Sequence, residues 1–299
     1  MKKIIRITLY ITLISLLLCS CSAKETETQK AELKYTYDSV YSSMDSSVIR
    51  AYETLCGAVV DGDAQAGINT GMLAQASQLF YTSFPLSDLV SDIQINSDNS
   101  GVDIKYKNAD DEHAEKVKAF TDKVSYIVTE CKKDTVNNLE YIVKVYNYIT
   151  SHAVLDSSNI SNTLYSTIIQ DTGNVFTYTC MFEYLLNQNG IEANHIIAAK
   201  EDGSSYAVSG AVINGEYYLF DLGRECNRNS GKGINFFGMS ADDFEKLGYT
   251  KLVCTNGSVP PEASDLKFDP CRKSTSWELN DGVLLVTMAD GTVVKITQD

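Results

Sequence analysis

One stretch, TGNVFTYTCMFEYLLNQNGI at residues 172–191, constrains the fold more than any other part of the sequence. It is mostly apolar over a helical length and closes with an Asn-Gly pair, so it predicts a helix over residues 175–189. Three apolar or alternating runs follow, IEANHIIAAK, SYAVSGAVI and EYYLFDL, and Asn214-Gly215 between the last two is a strong hairpin signal. A helix followed by an antiparallel meander predicts an α+β fold with helices packed on an antiparallel sheet.

The remaining regions are arranged around this core. Residues 136–250 contain the helix and the meander, and residues 46–135 predict an N-terminal region of helices and strands. In that region residues 46–79 have a helical pattern, and a strand pair joined by a Ser-Asp-Asn-Ser-Gly turn precedes a long helix. Residues 251–299 predict a loop and a C-terminal β-hairpin that turns at an Asp-Gly pair.

The first residues predict export. The sequence MKKIIRITLYITLISLLLCSC has a basic start and a short apolar stretch before Cys21, which is typical of a signal peptide over residues 1–20. The Leu-Cys-Ser before Cys21 resembles the bacterial lipobox, which implies cleavage before Cys21, acylation of its sulfur with palmitate-like chains and attachment to the extracytoplasmic face of the cell membrane. A plain signal peptide cut after Ala23 or an uncleaved anchor is the alternative. Residues 21–45 predict a polar tether.

The charge balance excludes one class of partner. The chain has 25 Lys and Arg against 39 Asp and Glu, and removal of the basic leader lowers the net charge from −14 to about −17. Such a chain repels phosphate backbones, and no basic cluster offsets this charge. We therefore expect no nucleic-acid partner, and we expect contact with the membrane only through the lipid anchor.

Six cysteines remain after Cys19 and Cys21, and they could form disulfides in an exported protein. A chain of this length folds without such cross-links, so we expect mostly buried thiols and one bridge, Cys254–Cys271, because both residues lie in a loop-rich segment. No CxxC pair or Cys/His cluster has metal-ligand spacing, so neither a metal nor another cofactor is expected. The six residues are Cys56, Cys131, Cys180, Cys226, Cys254 and Cys271.

Two motifs resemble the transglutaminase-like superfamily, whose fold is papain-like, and in particular its exported lipoproteins. The first family motif is Gly-Val-Cys-x-x-Tyr-Ala-x-x-Phe-x-x-Leu-Leu, and Val175 stands here where the family has its nucleophilic cysteine. The second motif is His-Ala-Trp-Asn-x-Val-x-Ile-x-Gly-x-Trp-Tyr-x-x-Asp, matched by YAVSGAVINGEYYLFD. Tyr206 takes the place of the histidine, and Asp221 matches the aspartate. Matching positions of the first motif are Gly173, Tyr178, Phe182, Leu185, Leu186, Gly190 and Ile191.

The resemblance implies a degenerate catalytic triad. The family chemistry needs a low-pKa thiolate at a helix N-terminus and an imidazole oriented by an acid. Val175 has no nucleophilic atom, and Tyr206 titrates near 10, so neither can replace the lost group. We therefore expect no catalysis. The family cleft is expected to persist as a binding module for a peptide, protein or cell-envelope ligand, lined by Val175, Tyr178, Tyr206, Asp221 and Arg224.

Two alternatives remain open. The chain could be an active cysteine peptidase or acyl transferase that uses Cys180 with His195, the histidine nearest to the meander. It could instead be a structural assembly lipoprotein without any groove. Cys180 lies five residues after Val175, which is about 140° around a helix and about 7.5 Å along it, so a buried thiol is the simpler interpretation of Cys180.

Overall fold

The N-terminal leader falls outside what the structure describes. A computed structural model describes residues 44–152, 154–156, 163–228, 234–254 and 258–299. The predicted signal peptide, Cys21 and nearly all of the predicted tether therefore lie outside the described residues. Among the residues described, no helix is long and apolar enough to cross a membrane.

The N-terminal region begins with two helices where the sequence pattern suggested one continuous helical stretch. Helix α1 (Ser46–Asp61) is capped by the Asp45 side chain, which accepts a hydrogen bond from Ser47 N at 2.7 Å. Gly62 has a φ of 76°, a left-handed conformation that ends the helix. Short strand β1 (Gln65–Ala66) follows and then α2 (Leu73–Ser83), so the prediction of a single helical segment is wrong at this break.

A small sheet and two long helices complete this region. Strands β2 (Val90–Ile95) and β3 (Val102–Tyr106) pair as predicted, and the sheet order is β1-β3-β2. The long helices α3 (Asp110–Lys132) and α4 (Asn138–His152) bury the two apolar stripes of the sequence. Their buried residues join one large core with α1 and α2.

The central layer is a four-stranded antiparallel sheet. Its strands are β6 (Ala193–Lys200), β7 (Ser205–Ile213), β8 (Glu216–Phe220) and β9 (Tyr249–Cys254), in the order β8-β7-β6-β9. The hairpin predicted between β7 and β8 is confirmed. The predicted long helix is α6 (Val175–Gln188), which packs on β6 and β7.

Short elements lead into α6 and follow the sheet. Strand β4 (Val154–Leu155) pairs in parallel with β5 (Thr172–Gly173). Between them lies α5 (Leu164–Gln170). Helices α7 (Leu222–Arg228) and α8 (Ala241–Lys246) follow β8.

The two faces of the central sheet are covered differently. Ser209 on β7 points at α6, because its Oγ hydrogen-bonds to Thr179 O at 3.4 Å. Side chains alternate along a strand, so Val208 points away from α6. It joins a second apolar cluster with Met239 and Phe244.

The C-terminal hairpin is confirmed, and it has a third strand. Strands β11 (Val283–Met288) and β12 (Val293–Ile296) form the predicted pair. Strand β10 (Ser274–Asn280) adds to β11, and its sequence STSWELN was not identified as a strand.

The predicted Cys254–Cys271 disulfide is wrong. Both residues are buried and neither is in a disulfide within the described part of the chain. Cys254 is in β9, where its sulfur accepts a hydrogen bond from Asn194 Nδ2 at 3.2 Å. Cys271 is in a 3-10 helix (Asp269–Lys273) and packs in the large core. Burial also raises the pKa of Cys271 to about 12, which disfavours the thiolate needed for disulfide exchange.

Candidate functional site

The first turn of α6 places Val175 at the helix N-terminus. Asn174 caps this helix: its side chain accepts from Thr177 N at 3.0 Å, and Thr177 Oγ1 accepts from Asn174 N at 3.1 Å. This reciprocal pair satisfies two backbone donors and fixes where the helix begins. Val175 is therefore the first helical residue and occupies the position that a nucleophile would need.

Two motif side chains, those of Val175 and Tyr206, converge on Gly223 in α7, two residues after Asp221. Tyr206 is the second residue of β7, and Asp221 follows β8 directly. A Cβ added to Gly223 would lie 2.7 Å from both Val175 methyl carbons and would collide with the Tyr206 hydroxyl. The side chains of Val175 and Tyr206 therefore pack against the same α-carbon, and only glycine leaves them room.

Asp221 is fully buried, and its carboxylate has many partners. Arg224 N donates to Oδ1 at 2.9 Å, Tyr249 Oη donates to Oδ2 at 2.9 Å, and Arg224 Nε lies 3.1 Å from Oδ2. The Tyr206 phenol also lies close enough to this carboxylate to help lower its pKa. Burial raises the pKa of Asp221, and the hydrogen bonds and the guanidinium offset only part of that increase.

The two tyrosines close this site. The Tyr206 and Tyr249 rings stack with centroids 5.7 Å apart, and Lys200 Nζ lies 4.6 Å from the Tyr206 centroid. Burial, followed by the nearby Asp221 carboxylate, raises the pKa of both phenols. Both therefore remain protonated donors near neutral pH, and neither can act as a general base there. We call Val175, Tyr206, Asp221, Arg224 and Tyr249 the filled site.

Tyr249 is a member of the filled site that the sequence did not identify. It lies on β9, on the far edge of the sheet from β8, and 28 residues after Asp221. Nothing in the sequence assigns Tyr249 a role, so only the three-dimensional arrangement brings it to the carboxylate.

Two of the residues predicted to line a ligand cleft are inaccessible. Asp221 is buried as described above, and Tyr178 is 0% exposed. The Tyr178 hydroxyl donates to Val154 O at 2.5 Å and accepts from Gly173 N at 2.9 Å. Burial raises its pKa to about 12. Tyr178 thus links the β4–β5 pair to α6. The prediction that Tyr178 and Asp221 line a ligand cleft is wrong, because both side chains are buried.

A second polar cluster lies under the middle of α6. His195 on β6 places Nδ1 2.7 Å from Glu183 Oε2, and its backbone N donates to the same oxygen at 3.1 Å. Both side chains are almost completely buried. Phe176 covers the imidazole edge-on with ring centroids 5.4 Å apart. Cys180 lies on this face of α6, because residues 176, 180 and 183 follow helical spacing.

An open cleft lies beside the filled site. It has a volume of about 340 Å³ and is bounded by α2, the 3-10 helix Pro85–Leu89, the start of α5 and the first two turns of α6. From α6 it receives Phe176, Thr177 and Cys180. Cys180 is only 3% exposed, so its thiol is part of the floor.

No metal site is apparent in the part of the chain that the structure describes. No group of three or more His, Cys, Asp or Glu side chains there could hold an ion. In the filled site, the Asp221 carboxylate is already bonded to Arg224 and Tyr249.

Comparisons with known proteins give partial likenesses. No family model and no curated protein matches the sequence. One similar solved structure is a candidate cysteine protease from Cytophaga hutchinsonii, with 13% identity and a TM-score of 0.29 over 48% of this chain and 55% of that chain. Another is a candidate protease from Parabacteroides distasonis ATCC 8503, with 11% identity and a TM-score of 0.28 over 68% of this chain and 34% of that chain.

A third similar structure is described as a TGase, with 11% identity, a TM-score of 0.31 and coverage of 67% of this chain and 60% of that chain. The chain thus spans between 34% and 60% of these three proteins. Its structure neighbours are a transglutaminase and proteins described as proteases, and their activities remain statements about those proteins.

Proposed function

We propose that this chain is a membrane-anchored, extracytoplasmic protein of transglutaminase-like type, catalytically inactive, that acts as a binding module for a peptide or cell-envelope ligand. The observation that carries the loss of catalysis is the filled site. Val175 occupies the helix N-terminus, Tyr249 donates a hydrogen bond to the buried Asp221, and Tyr206 stacks on Tyr249 beside it. No thiol or imidazole belongs to this group of residues.

The chemistry explains why such a site is inactive. Acyl transfer through a cysteine needs a thiolate, a base that takes its proton and an acid that orients the base. Removal of a nucleophile or its base costs on the order of 10⁶ in rate. In this chain the acid instead accepts a hydrogen bond from the Tyr249 phenol and pairs with the Arg224 guanidinium, which is a structural role for Asp221.

The anchoring half of the proposal rests on the leader sequence. We expect Cys21→Ser to abolish labelling with a clickable palmitate analogue and to release the protein from membranes. The matched control is Cys19→Ser, which lies in the part that is removed and should leave labelling of the mature protein intact. Acyl labelling that persists in Cys21→Ser would contradict the lipid anchor.

Activity assays test the loss of catalysis. The wild-type chain should show neither amine transfer to glutamine peptides nor peptide hydrolysis above background. Val175→Cys with Tyr206→His restores the missing atoms, and adding Tyr249→Phe removes a competing donor to Asp221. We expect the triple variant to alkylate faster at neutral pH than Val175→Cys alone, because an oriented imidazole lowers the thiol pKa. Wild-type turnover would contradict the proposal.

One observation favours a second candidate function. The Glu183–His195 hydrogen bond orients an imidazole on the face of α6 that carries Cys180, and Cys180 reaches the cleft. This candidate is a cysteine peptidase or acyl transferase centred on Cys180. It requires Cys180→Ala to abolish turnover and leave the melting temperature almost unchanged. The inactive protein instead predicts no turnover to lose and a stability cost of about 1 kcal/mol from the small cavity.

A further inference from the structure

We propose that the open cleft beside α6 binds an extended peptide that adds as a strand to the free edge of β2 and inserts one apolar side chain between Tyr81 and Phe176. The inference rests on the proposed function only in treating the chain as a binding protein. It differs from that proposal in placing the ligand away from the filled site.

The cleft has aromatic walls and an apolar floor. Tyr81 on α2 is 50% exposed and Phe176 on α6 is 45% exposed, although most large apolar side chains of the chain are buried. Phe84, Val90 and Cys180 form deeper parts of the lining. A cleft of about 340 Å³ with exposed aromatics at its mouth is large enough for one apolar side chain of a ligand. Rigid aromatic walls also lose little entropy on binding.

The neighbouring strand favours a peptide as the occupant. Val90 belongs to both the cleft and β2, so the cleft opens at the beginning of this strand. Within the described residues, β2 pairs with β3 alone and is the last strand of its sheet. A free strand edge offers backbone donors and acceptors to an added strand, and a pocket beside it selects a side chain. A strand edge that leads into a pocket matches an extended chain with side chains at regular spacing.

The charges around the cleft favour a neutral or basic peptide. Lys107 Nζ lies 3.1 Å from Asp88 Oδ1, and Lys105 Nζ lies 3.4 Å from Asp92 Oδ2, so each carboxylate near the cleft has a cationic partner. The local charges therefore cancel. The chain as a whole has a net charge of −14, which repels acidic peptides at longer range.

The test uses blocked pentapeptides of sequence Ser-Thr-X-Thr-Ser, acetylated at the N-terminus, amidated at the C-terminus and carrying a fluorophore. X is Phe, Leu, Ala or Glu. Titration of each peptide with the full mature chain is followed by fluorescence anisotropy. We expect saturable binding for Phe and Leu, about tenfold weaker binding for Ala and none for Glu. Two versions of the Phe peptide test strand addition, one N-methylated at both threonines and the other at X and both serines, because each lacks the main-chain donors along one edge of the extended peptide.

Three variants of the protein locate the binding site. Tyr81→Ser removes one wall, and Thr82→Trp fills the cleft from an exposed position on α2 while leaving both walls intact. Each should weaken the Phe peptide at least about tenfold. Tyr126→Ser is the matched control, because Tyr126 is an equally exposed tyrosine on α3 that does not line the cleft. It should leave binding unchanged.

The outcomes separate this inference from the proposed function. Absence of saturable binding for every peptide, equal binding of the Phe and Glu peptides, or equal binding by Tyr81→Ser, Thr82→Trp and Tyr126→Ser would each overturn the inference. Undiminished binding of both N-methylated peptides would overturn strand addition. None of these results bears on catalysis, which the amine-transfer and hydrolysis assays measure independently.

Discussion

Val175 and Phe176 are neighbours in the first turn of α6, yet they belong to regions that are built in opposite ways. Val175 lies in the filled site, where Tyr206, Tyr249 and Arg224 surround a fully buried Asp221. Phe176 is 45% exposed at the mouth of the open cleft. Successive residues of a helix point about 100° apart, so one turn can serve two separate environments.

The difference shows how one helix N-terminus can border a filled region on one side and an open cleft on the other. A phenol is longer than an imidazole, and the Tyr206 hydroxyl reaches both the carboxylate and the backbone at Gly223. The hydrogen-bonding capacity of Asp221 is thereby used inside the protein. On the Phe176 side, Asp88 accepts hydrogen bonds from Lys107 and Thr163 at the lining of the cleft, and a volume of about 340 Å³ stays open.

The largest expected effect concerns the polar pair beneath the cleft. Glu183→Ala removes the partner of His195, a nearly completely buried side chain that places Nδ1 2.7 Å from Glu183 Oε2. Breaking a buried pair from one side costs about 3–5 kcal/mol. We expect a loss of this size in the free energy of unfolding, measured by urea denaturation. Glu183→Gln retains an acceptor for the backbone N–H of His195 and should lose clearly less.

This variant also sharpens the assignment of the cleft floor. If Glu183 and His195 stabilise the fold, stability falls and the alkylation rate of Cys180 in the folded protein stays slow. A Glu183→Ala protein with unchanged stability and an altered Cys180 alkylation rate would show that the pair serves a reactive thiol. The cleft would then contain a reactive thiol, and its description as an open but unreactive region would be wrong.

The second prediction tests how tightly the filled site is packed. Gly223→Ala places a methyl group 2.7 Å from both Val175 Cγ atoms, so the side chain or α7 must shift. Overpacking of this kind costs about 1–3 kcal/mol. The matched control is Gly57→Ala in α1, where a Cβ meets nothing within 4 Å and alanine has the higher helix propensity. Opposite shifts in the urea midpoint are expected, and equal tolerance of both changes would show that the site is loosely packed.

Local signals in the sequence were sufficient for most elements of the core. The periodicity of the segment before Asn189 predicts α6, and the Asn214-Gly215 pair predicts the β7–β8 hairpin, because both depend on residues close together in the chain. The break at Gly62 has a local signal too, Asp-Gly-Asp, which the helical pattern on either side outweighed. Family resemblance led to Val175, Tyr206 and Asp221, which the structure brings together around Gly223.

The remaining features depend on how distant segments meet. Tyr249 reaches Asp221 only because β9 adds to the β6 edge of the sheet, and the sequence assigns this residue no role. The Glu183–His195 pair requires the register between α6 and β6. The disulfide expected at Cys254 failed because a segment taken as loop is partly strand β9. Exposed Tyr81 and Phe176 define a cleft only after α2 packs near α6.

The third prediction concerns the pH dependence of the filled site. Burial raises the folded-state pKa of Asp221 above its unfolded value of 3.8. The folded state therefore binds this proton more tightly than the unfolded state does. The contribution to stability is fully present below pH 3.8 and is lost as the pH rises through the folded pKa. The asparagine in Asp221→Asn does not titrate. The stability of this variant relative to the wild type should therefore increase as the pH rises from 3.8 through the folded-state pKa, and it should level off at higher pH.

Urea midpoints at a series of pH values measure this difference. Asp290→Asn is a control of opposite sign, because the exposed Asp290 carboxylate accepts from Thr292 N and its pKa is lowered. Its contribution is present above the unfolded pKa and is lost as the pH falls through the folded pKa. If the stability difference from wild type changed with pH in the same direction for both variants, Asp221 would not be a carboxylate whose pKa is raised by burial.

The smallest expected effect lies at the solvent edge of the filled site. Lys200 Nζ is 4.6 Å from the centre of the Tyr206 ring and 6.0 Å from that of Tyr249, so its charge faces the two stacked rings. A partly exposed cation–π contact is worth about 0.5–1 kcal/mol. Lys200→Met keeps the length of the side chain and removes the charge, and we expect a loss within this range in the urea midpoint at constant slope.

The effect should depend on the ring beneath the charge. In a Tyr206→Ala background, Lys200→Met should cost less than in the wild type, because the nearer of the two rings is gone. Lys251→Met, at an exposed position of the neighbouring strand β9, controls for the general effect of losing a positive charge in an acidic chain. Equal losses in the urea midpoint for Lys200→Met and Lys251→Met in both backgrounds would show that the stacked tyrosines do not stabilise the Lys200 charge.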